Sequence, residues 1–154
     1  MNKKYPLVVT MLLLVLLAVA CGPKQILDES PMVRISELSH QDGIVSLQLS
    51  IRNINDEELD ILDIDFNLSS DDKQLLAFSG PVSININANG TEAWPADIAE
   101  SDTTRQQLNA LQSGEIKSLP YQLEGTVNTR ESGRLRFEYK GHLYPLPGRT
   151  GYFR

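Results

Sequence analysis

The sequence predicts an all-β fold: two antiparallel sheets packed as a sandwich, with one short helix. Three observations carry that expectation. Apolar and polar residues alternate with a period of two along most of the chain after residue 32. Turn-forming residues punctuate the alternation at short intervals. Only Ser101–Ser113 departs from it, with helix formers between a capping serine and a glycine stop. Half-polar strands joined by tight turns make sheets with one wet face, and two such sheets bury their dry faces against each other.

The first 20 residues stand outside that fold. Lys3 and Lys4 precede an apolar run from Leu7 to Ala20 broken only by Thr10. The run is shorter than the roughly 20 residues a membrane-spanning helix needs, but it suits the core of a secretory signal. It ends at Ala18-Val19-Ala20-Cys21, and Cys21 is the only cysteine. This segment resembles a lipobox, the site where a bacterial lipoprotein precursor is cut and lipidated. Ala18 stands where a lipobox commonly has Leu, with Leu17 one place earlier. An ordinary cleaved signal and an uncleaved inner-membrane anchor are the alternatives. A lone thiol in an exported chain has no disulfide partner, and acylation gives it a task. Two or three acyl chains hold a protein firmly where one holds it marginally. Gly22 occupies the position where Asp would mark inner-membrane retention, which points to the periplasmic face of the outer membrane.

Residues 21–31 read as a lipidated tether: Gly22, Pro23, Lys24, Asp28, Glu29 and Pro31 without sustained periodicity. The folded domain is expected over residues 32–147. Its first strand candidate is Val33–Leu38. In the clearest strand, Val45, Leu47, Leu49 and Ile51 alternate with Ser46, Gln48, Ser50 and Arg52. Next, Leu62, Ile64, Phe66 and Leu68 alternate with Asp63, Asp65, Asn67 and Ser69. Gln74–Phe78 is a weaker strand, followed by Val82, Ile84 and Ile86. Thr91–Ile98 contains Pro95, which confines it to an edge or a bulge. Tyr121, Leu123, Gly125 and Val127 form one more apolar set, and Leu135, Phe137 and Tyr139 the last. Turns are expected at Gln41-Asp42-Gly43, Ser70-Asp71-Asp72, Ser79-Gly80-Pro81 and Asn89-Gly90. In the helix, Ser101 caps, Asp102 sits in the first turn, Gly114 stops, and Leu108 and Leu111 are the docking residues. Residues 148–154 are left as an apolar tail that covers a sheet edge or docks on a partner.

The order of these pieces resembles the late embryogenesis abundant type 2 family, also called the water stress and hypersensitive response domain. The resemblance runs from about Val33 to Pro147. It rests on the strand ending in Ile51-Arg52-Asn53-Ile54-Asn55, the acidic apolar strand Leu59 to Leu68, and Leu75-Leu76-Ala77. Pro120-Tyr121-Gln122-Leu123-Glu124-Gly125 and the closing strand Leu135 to Gly141 complete it. The family commonly has Asn-Pro-Asn at the first of these turns, and Ile54 replaces the proline here. Asn53 and Asn55 remain able to bond the turn backbone. The resemblance implies a seven-stranded immunoglobulin- or fibronectin III-like sandwich with a helix, and a role in desiccation or stress tolerance.

Charge and motifs narrow the chemistry. Formal charge is −6, and removing Lys3 and Lys4 with the leader makes it −8. Such a domain repels phosphate backbones, so nucleic acid is not an expected partner. Cys21 is spent on lipid, and His40 and His142 lie far apart outside any recognisable motif. No phosphate loop, nucleophile elbow or zinc ligand set is present. Asp56, Glu57, Glu58 and Asp60, with Asp63 and Asp65, offer carboxylates of the kind calcium uses. They lack EF-hand spacing and suit a solvated acidic surface. Trp94 and Tyr121 are the aromatic pair to consider as a sugar platform, although parity assigns Tyr121 to the core. The expected protein is therefore non-enzymatic, with no catalytic, cofactor or metal residues and Cys21 as its one modified residue. It is held to membrane lipid through acylated Cys21. The alternative is an interaction module that binds an envelope protein partner through a sheet edge or face.

Overall fold

A computed structural model describes residues 29–154 of the chain. The leader, Cys21 and residues 22–28 of the tether lie outside the described residues. Eight strands and one helix follow: β1 Met32–Gln41, β2 Ile44–Arg52, β3 Leu59–Ser70, β4 Lys73–Ile86, β5 Thr91–Ala99, α1 Asp102–Ser113, β6 Leu119–Thr129, β7 Gly133–Leu143 and β8 Tyr152–Phe153. They form two antiparallel four-stranded sheets, ordered β5-β2-β1-β8 and β4-β3-β6-β7. The expected all-β sandwich with a single helix among the described residues is therefore what the chain builds.

Alternation explains most of the core. Val45, Leu47, Leu49 and Ile51 on β2 are fully buried against Ile64, Phe66 and Leu68 on β3 and Leu123 and Val127 on β6. Each buried side chain of this size contributes about 1.5–3 kcal/mol. The helix begins and ends as its sequence dictates. Ser101 Oγ accepts the Thr104 N–H, and Gly114 at φ 79° donates its N–H to Leu111 O. Leu108 and Leu111 are buried, and Thr104 Oγ1 donates to Leu75 O at 2.6 Å, fastening the helix to β4.

Three expectations need correction. The turn expected at Ser79-Gly80-Pro81 is absent, because β4 runs unbroken from Lys73 to Ile86. Pro81 is tolerated because β4 is an edge strand and the register with β3 slips there, leaving Pro81 opposite Asp63. Leu62 does not belong to the inward set. A bulge between Ile61 and Asp63 resets the parity, so Leu59 and Ile61 point inward along with Ile64. On β1 a second bulge, between Ile35 and Glu37, shifts the inward set from Val33 and Ile35 to Leu38 and then His40. Finally, the sandwich does not end at residue 147. Phe153 is fully buried, and β8 pairs with β1 through Leu38 and Ser39. The tail thus covers the open edge of β1, since Tyr144 and Arg154 exchange backbone hydrogen bonds and return the chain to the sheet.

Candidate functional site

The Asn53-Ile54-Asn55 turn is the most densely bonded polar feature of the molecule. Asn53 has no exposed surface. Its Nδ2 donates to Glu57 O at 2.7 Å and lies 3.2 Å from both Ile86 O and Asn87 O. Its Oδ1 accepts the Asn55 N–H and Nδ2, and its own N–H donates to Gly90 O. One side chain thereby ties the end of β2 to the start of β3 and to the β4–β5 hairpin. Asn55 then reaches outward: it accepts the Glu29 N–H at 2.7 Å and donates to Glu29 O at 3.0 Å. These two bonds fix the end of the sandwich at which the N-terminal segment enters.

The acidic residues are dispersed, and all of those singled out from the sequence except Glu57 have a side-chain partner. Asp56 accepts from Asn89, and Asn85 donates to both Glu58 and Asp60. Arg130 lies 3.1 Å from Asp60. The Asn85 amide and then the Arg130 guanidinium hold the Asp60 carboxyl below its ordinary value. Asp63 accepts from Asn128, and Asp65 accepts from Ser79 and pairs with Arg134. Among the described residues no three carboxylate, histidine or cysteine side chains converge to hold a metal ion.

The two histidines occupy different sheets. His142 is exposed on β7 beside Tyr144. His40, turned inward by the β1 bulge, places Nδ1 3.2 Å from Glu100 Oε1, and Arg105 Nε lies 2.9 Å from the other oxygen. The Glu100 side chain is only 3% exposed. The His40 and Glu100 atoms are within ion-pair range but misaligned for a hydrogen bond, which leaves Oε1 without one. Parity alone could not reveal this cluster, because the bulge that creates it is invisible in the alternation.

Trp94 and Tyr121 do not form a joint platform. Trp94 packs edge-on against Phe78, its ring centroid 5.0 Å away, and closes the β4–β5 side of the sandwich. Tyr121 is in the core beside Tyr139 and over Gly141. Burial pushes its pKa up to about 12, with the Tyr139 ring hydroxyl adding to the rise.

A concavity lies instead on the outer face of the second sheet. It is a groove of about 860 Å³ crossing all four strands. Its floor is the backbone of Phe78, Phe66, Gly125 and Phe137, which are successive cross-strand partners whose aromatic rings turn toward the core. One wall is the cross-strand row Ala77, Asn67, Glu124 and Glu138, and the other is Ser79, Asp65, Thr126 and Arg136. Gly125 is required in the middle. A Cβ there would sit 2.1 Å from Asp65 O and 2.7 Å from Phe137 Cζ. Sequence alternation identifies the outward residues of each strand, but it cannot align them into rows without the register.

Glu124 stands directly opposite Glu138, a like-charge pair that weakens a sheet. Gln122 donates to both, at 3.4 and 3.2 Å, and Lys140 pairs with Glu138 at 3.3 Å. Asn67 Oδ1 is out of water with no hydrogen-bond partner. Thr126 and Arg136 carry no side-chain hydrogen bond or ion pair to another described residue.

No family model matches the chain, and no curated protein matches it. Several solved structures are similar in arrangement. A protein from Arabidopsis thaliana is 14% identical, with 84% of this chain and 95% of that chain covered at a TM-score of 0.49. One from Archaeoglobus fulgidus is 7% identical, with 74% and 95% covered and a TM-score of 0.45. A candidate late embryogenesis abundant protein is 15% identical, with 94% and 87% covered and a TM-score of 0.42.

Proposed function

We propose that this chain is a non-catalytic, lipid-anchored envelope protein that protects its surroundings under water stress. The observation that carries the reading is the Asn53–Asn55 turn. It is the first motif in which the sequence resembles the late embryogenesis abundant type 2 family, and it also grips Glu29 at the end where the tether enters. With Cys21 acylated, residues 22–28 would join the lipid to that end of the sandwich. The strands would then stand away from the membrane, with the polar outer face of the second sheet turned sideways. That face is a ladder of carboxylates, amides and hydroxyls: Asp63, Asp65, Asn67, Gln122, Thr126 and Asn128. As water is withdrawn, such groups offer replacement hydrogen bonds to neighbouring surfaces.

A deletion strain tests the reading directly. It should lose viability on drying and rehydration, and recover with the wild-type gene but not with Cys21→Ala. A strain that dries and recovers like its parent contradicts it.

A second reading, an interaction module, is favoured by the edges. β4 and β5 are edge strands containing Pro81 and Pro95, whereas edge strand β7 runs eleven residues without proline. An unbroken edge can accept another strand. Crosslinking that recovers one stoichiometric partner through β7 would favour this reading over stress protection.

A further inference from the structure

We infer, on the interaction-module reading above, that the open edge of β7 takes an extended acidic segment of a partner protein as a fifth strand of the second sheet, its alternate carboxylates facing Arg134, Arg136 and Lys140. Each other sheet edge among the described residues carries a device that blunts pairing. β4 holds Pro81 and slips twice in its register with β3, β5 holds Pro95, and β8 is two residues long. β7 has none of these: its eleven residues pair with β6 without a slip. Every second residue of an antiparallel edge strand turns both its N–H and its C=O away from its neighbour. β7 therefore presents a continuous row of backbone donors and acceptors. Its inward side chains agree. Phe137 is buried, but Leu135 and Tyr139 on either side of it are covered only in part, and an added strand would cover the rest.

What β7 does carry is charge, and charge selects the occupant. Its exposed row is Arg134, Arg136, Glu138, Lys140 and His142, three fixed cations to one carboxylate on a chain of formal charge −6. Arg136 has no side-chain partner among the described residues. The Arg134–Asp65 and Lys140–Glu138 contacts, at 3.4 and 3.3 Å, join exposed groups, and such pairs hold weakly. The row is free to pair anew. A second copy of this chain fits it poorly, because like charges directly opposite one another destabilise a sheet. Antiparallel self-pairing centred on Phe137 gains Arg136–Glu138 pairs but sets Arg134 against Lys140 twice. Centring on Glu138 sets it against itself and Arg136 against Lys140, and centring on Arg136 opposes that residue to itself. A nucleic-acid strand matches the cations but has no amide row to meet the backbone. A segment in which Asp or Glu alternates with apolar residues satisfies all three features. Its amides bond the edge, its carboxylates meet the cations, and its apolar residues cover Leu135 and Tyr139.

The test is calorimetric titration of the detergent-solubilised full-length protein with the peptide Thr-Glu-Val-Thr-Val-Glu-Val-Glu-Thr and, separately, its reversed sequence, which suit antiparallel and parallel addition. Hydrogen exchange read by mass spectrometry locates the site. At least one of the two should bind with a Kd on the order of 1 mM or tighter and slow amide exchange across residues 133–143. The same peptide with lysine for glutamate, and a shuffled one without the alternation, should not bind. Arg136→Glu should weaken the acidic peptide about tenfold or more with the melting temperature unchanged, and should gain affinity for the lysine peptide. Lys73→Glu, an equal change of charge at the β4 edge, should bind as the wild type does. Four results overturn the proposal: neither acidic peptide binds, the lysine peptide binds equally well, Arg136→Glu changes nothing, or the protein self-associates through β7, which makes the occupant a second copy. A partner crosslinked through β7 by a segment without alternating acids also overturns it, and leaves the interaction-module reading standing. With neither a bound peptide nor a crosslinked partner, both fall.

Discussion

Asn53 and Asn67 are the same residue type on the same sandwich, and their surroundings are opposite. Asn53, at the end where the N-terminal segment enters, has its amide nitrogen shared among three carbonyls and its oxygen between two donors. Asn67, on the outer face of β3, has an oxygen removed from water and bonded to nothing. A buried polar group without a partner costs about 1–3 kcal/mol. One region has therefore spent its polar groups on closing the fold, while the other holds them in reserve at a net cost to stability.

This contrast can be broken by substitution, most severely at the groove floor. Gly125→Val should prevent folding under ordinary conditions, because the clash is with the Asp65 backbone and not a movable side-chain tip. Overpacking of this kind costs about 3 kcal/mol or more. Circular dichroism and expression yield would report it, and a folded, stable variant would mean the floor is more plastic than its geometry implies. Asn53→Ala should lose about 3 kcal/mol, since it orphans several buried backbone groups at once. Urea denaturation with an unchanged m-value would confirm that the loss is one of stability.

Tyr121 sharpens the contrast through pH. Its folded-state value is raised from 10.0 to about 12, so the unfolded chain releases the proton first. The neutral form's advantage is intact below pH 10 and is lost as pH climbs toward about 12, a fall of about 2 to 3 kcal/mol across that window. Tyr121→Phe should lack this part of the alkaline decline, and identical slopes for the two proteins would contradict it. The smallest effect, and one of opposite sign, belongs to Asn67→Ala, which removes an unpartnered oxygen and should raise stability by about 1 kcal/mol. A loss as large as that at Asn53 would erase the distinction between the regions.

Much of the fold was legible in the sequence because the chemistry was local. Alternation marked β2, β6 and β7, a serine and a glycine marked the helix ends, and Pro95 marked an edge strand. The errors came where long-range pairing overrides local pattern. Ser79-Gly80-Pro81 has the composition of a turn, yet pairing with β3 carries β4 straight through it. The bulges at Leu62 and Ser36 reversed parity, which hid the inward turn of His40 toward Glu100. Tyr152 and Phe153 form too short a segment for periodicity to mark as a strand. The groove was the least legible feature. Asn67, Glu124, Thr126 and Arg136 come from three strands of the chain, and only the register brings them together. Cys21 is the reverse case: its motif was readable from sequence, and it lies outside the described residues.

The proposed role depends first on the anchor. Intact-mass analysis of membrane-extracted protein, beside a Cys21→Ala variant, tests it most directly. The native chain should begin at Cys21 with added acyl mass, and the variant should carry none. An unlipidated native chain that is soluble in the periplasm would contradict it, leaving the sandwich and its groove without a membrane to protect.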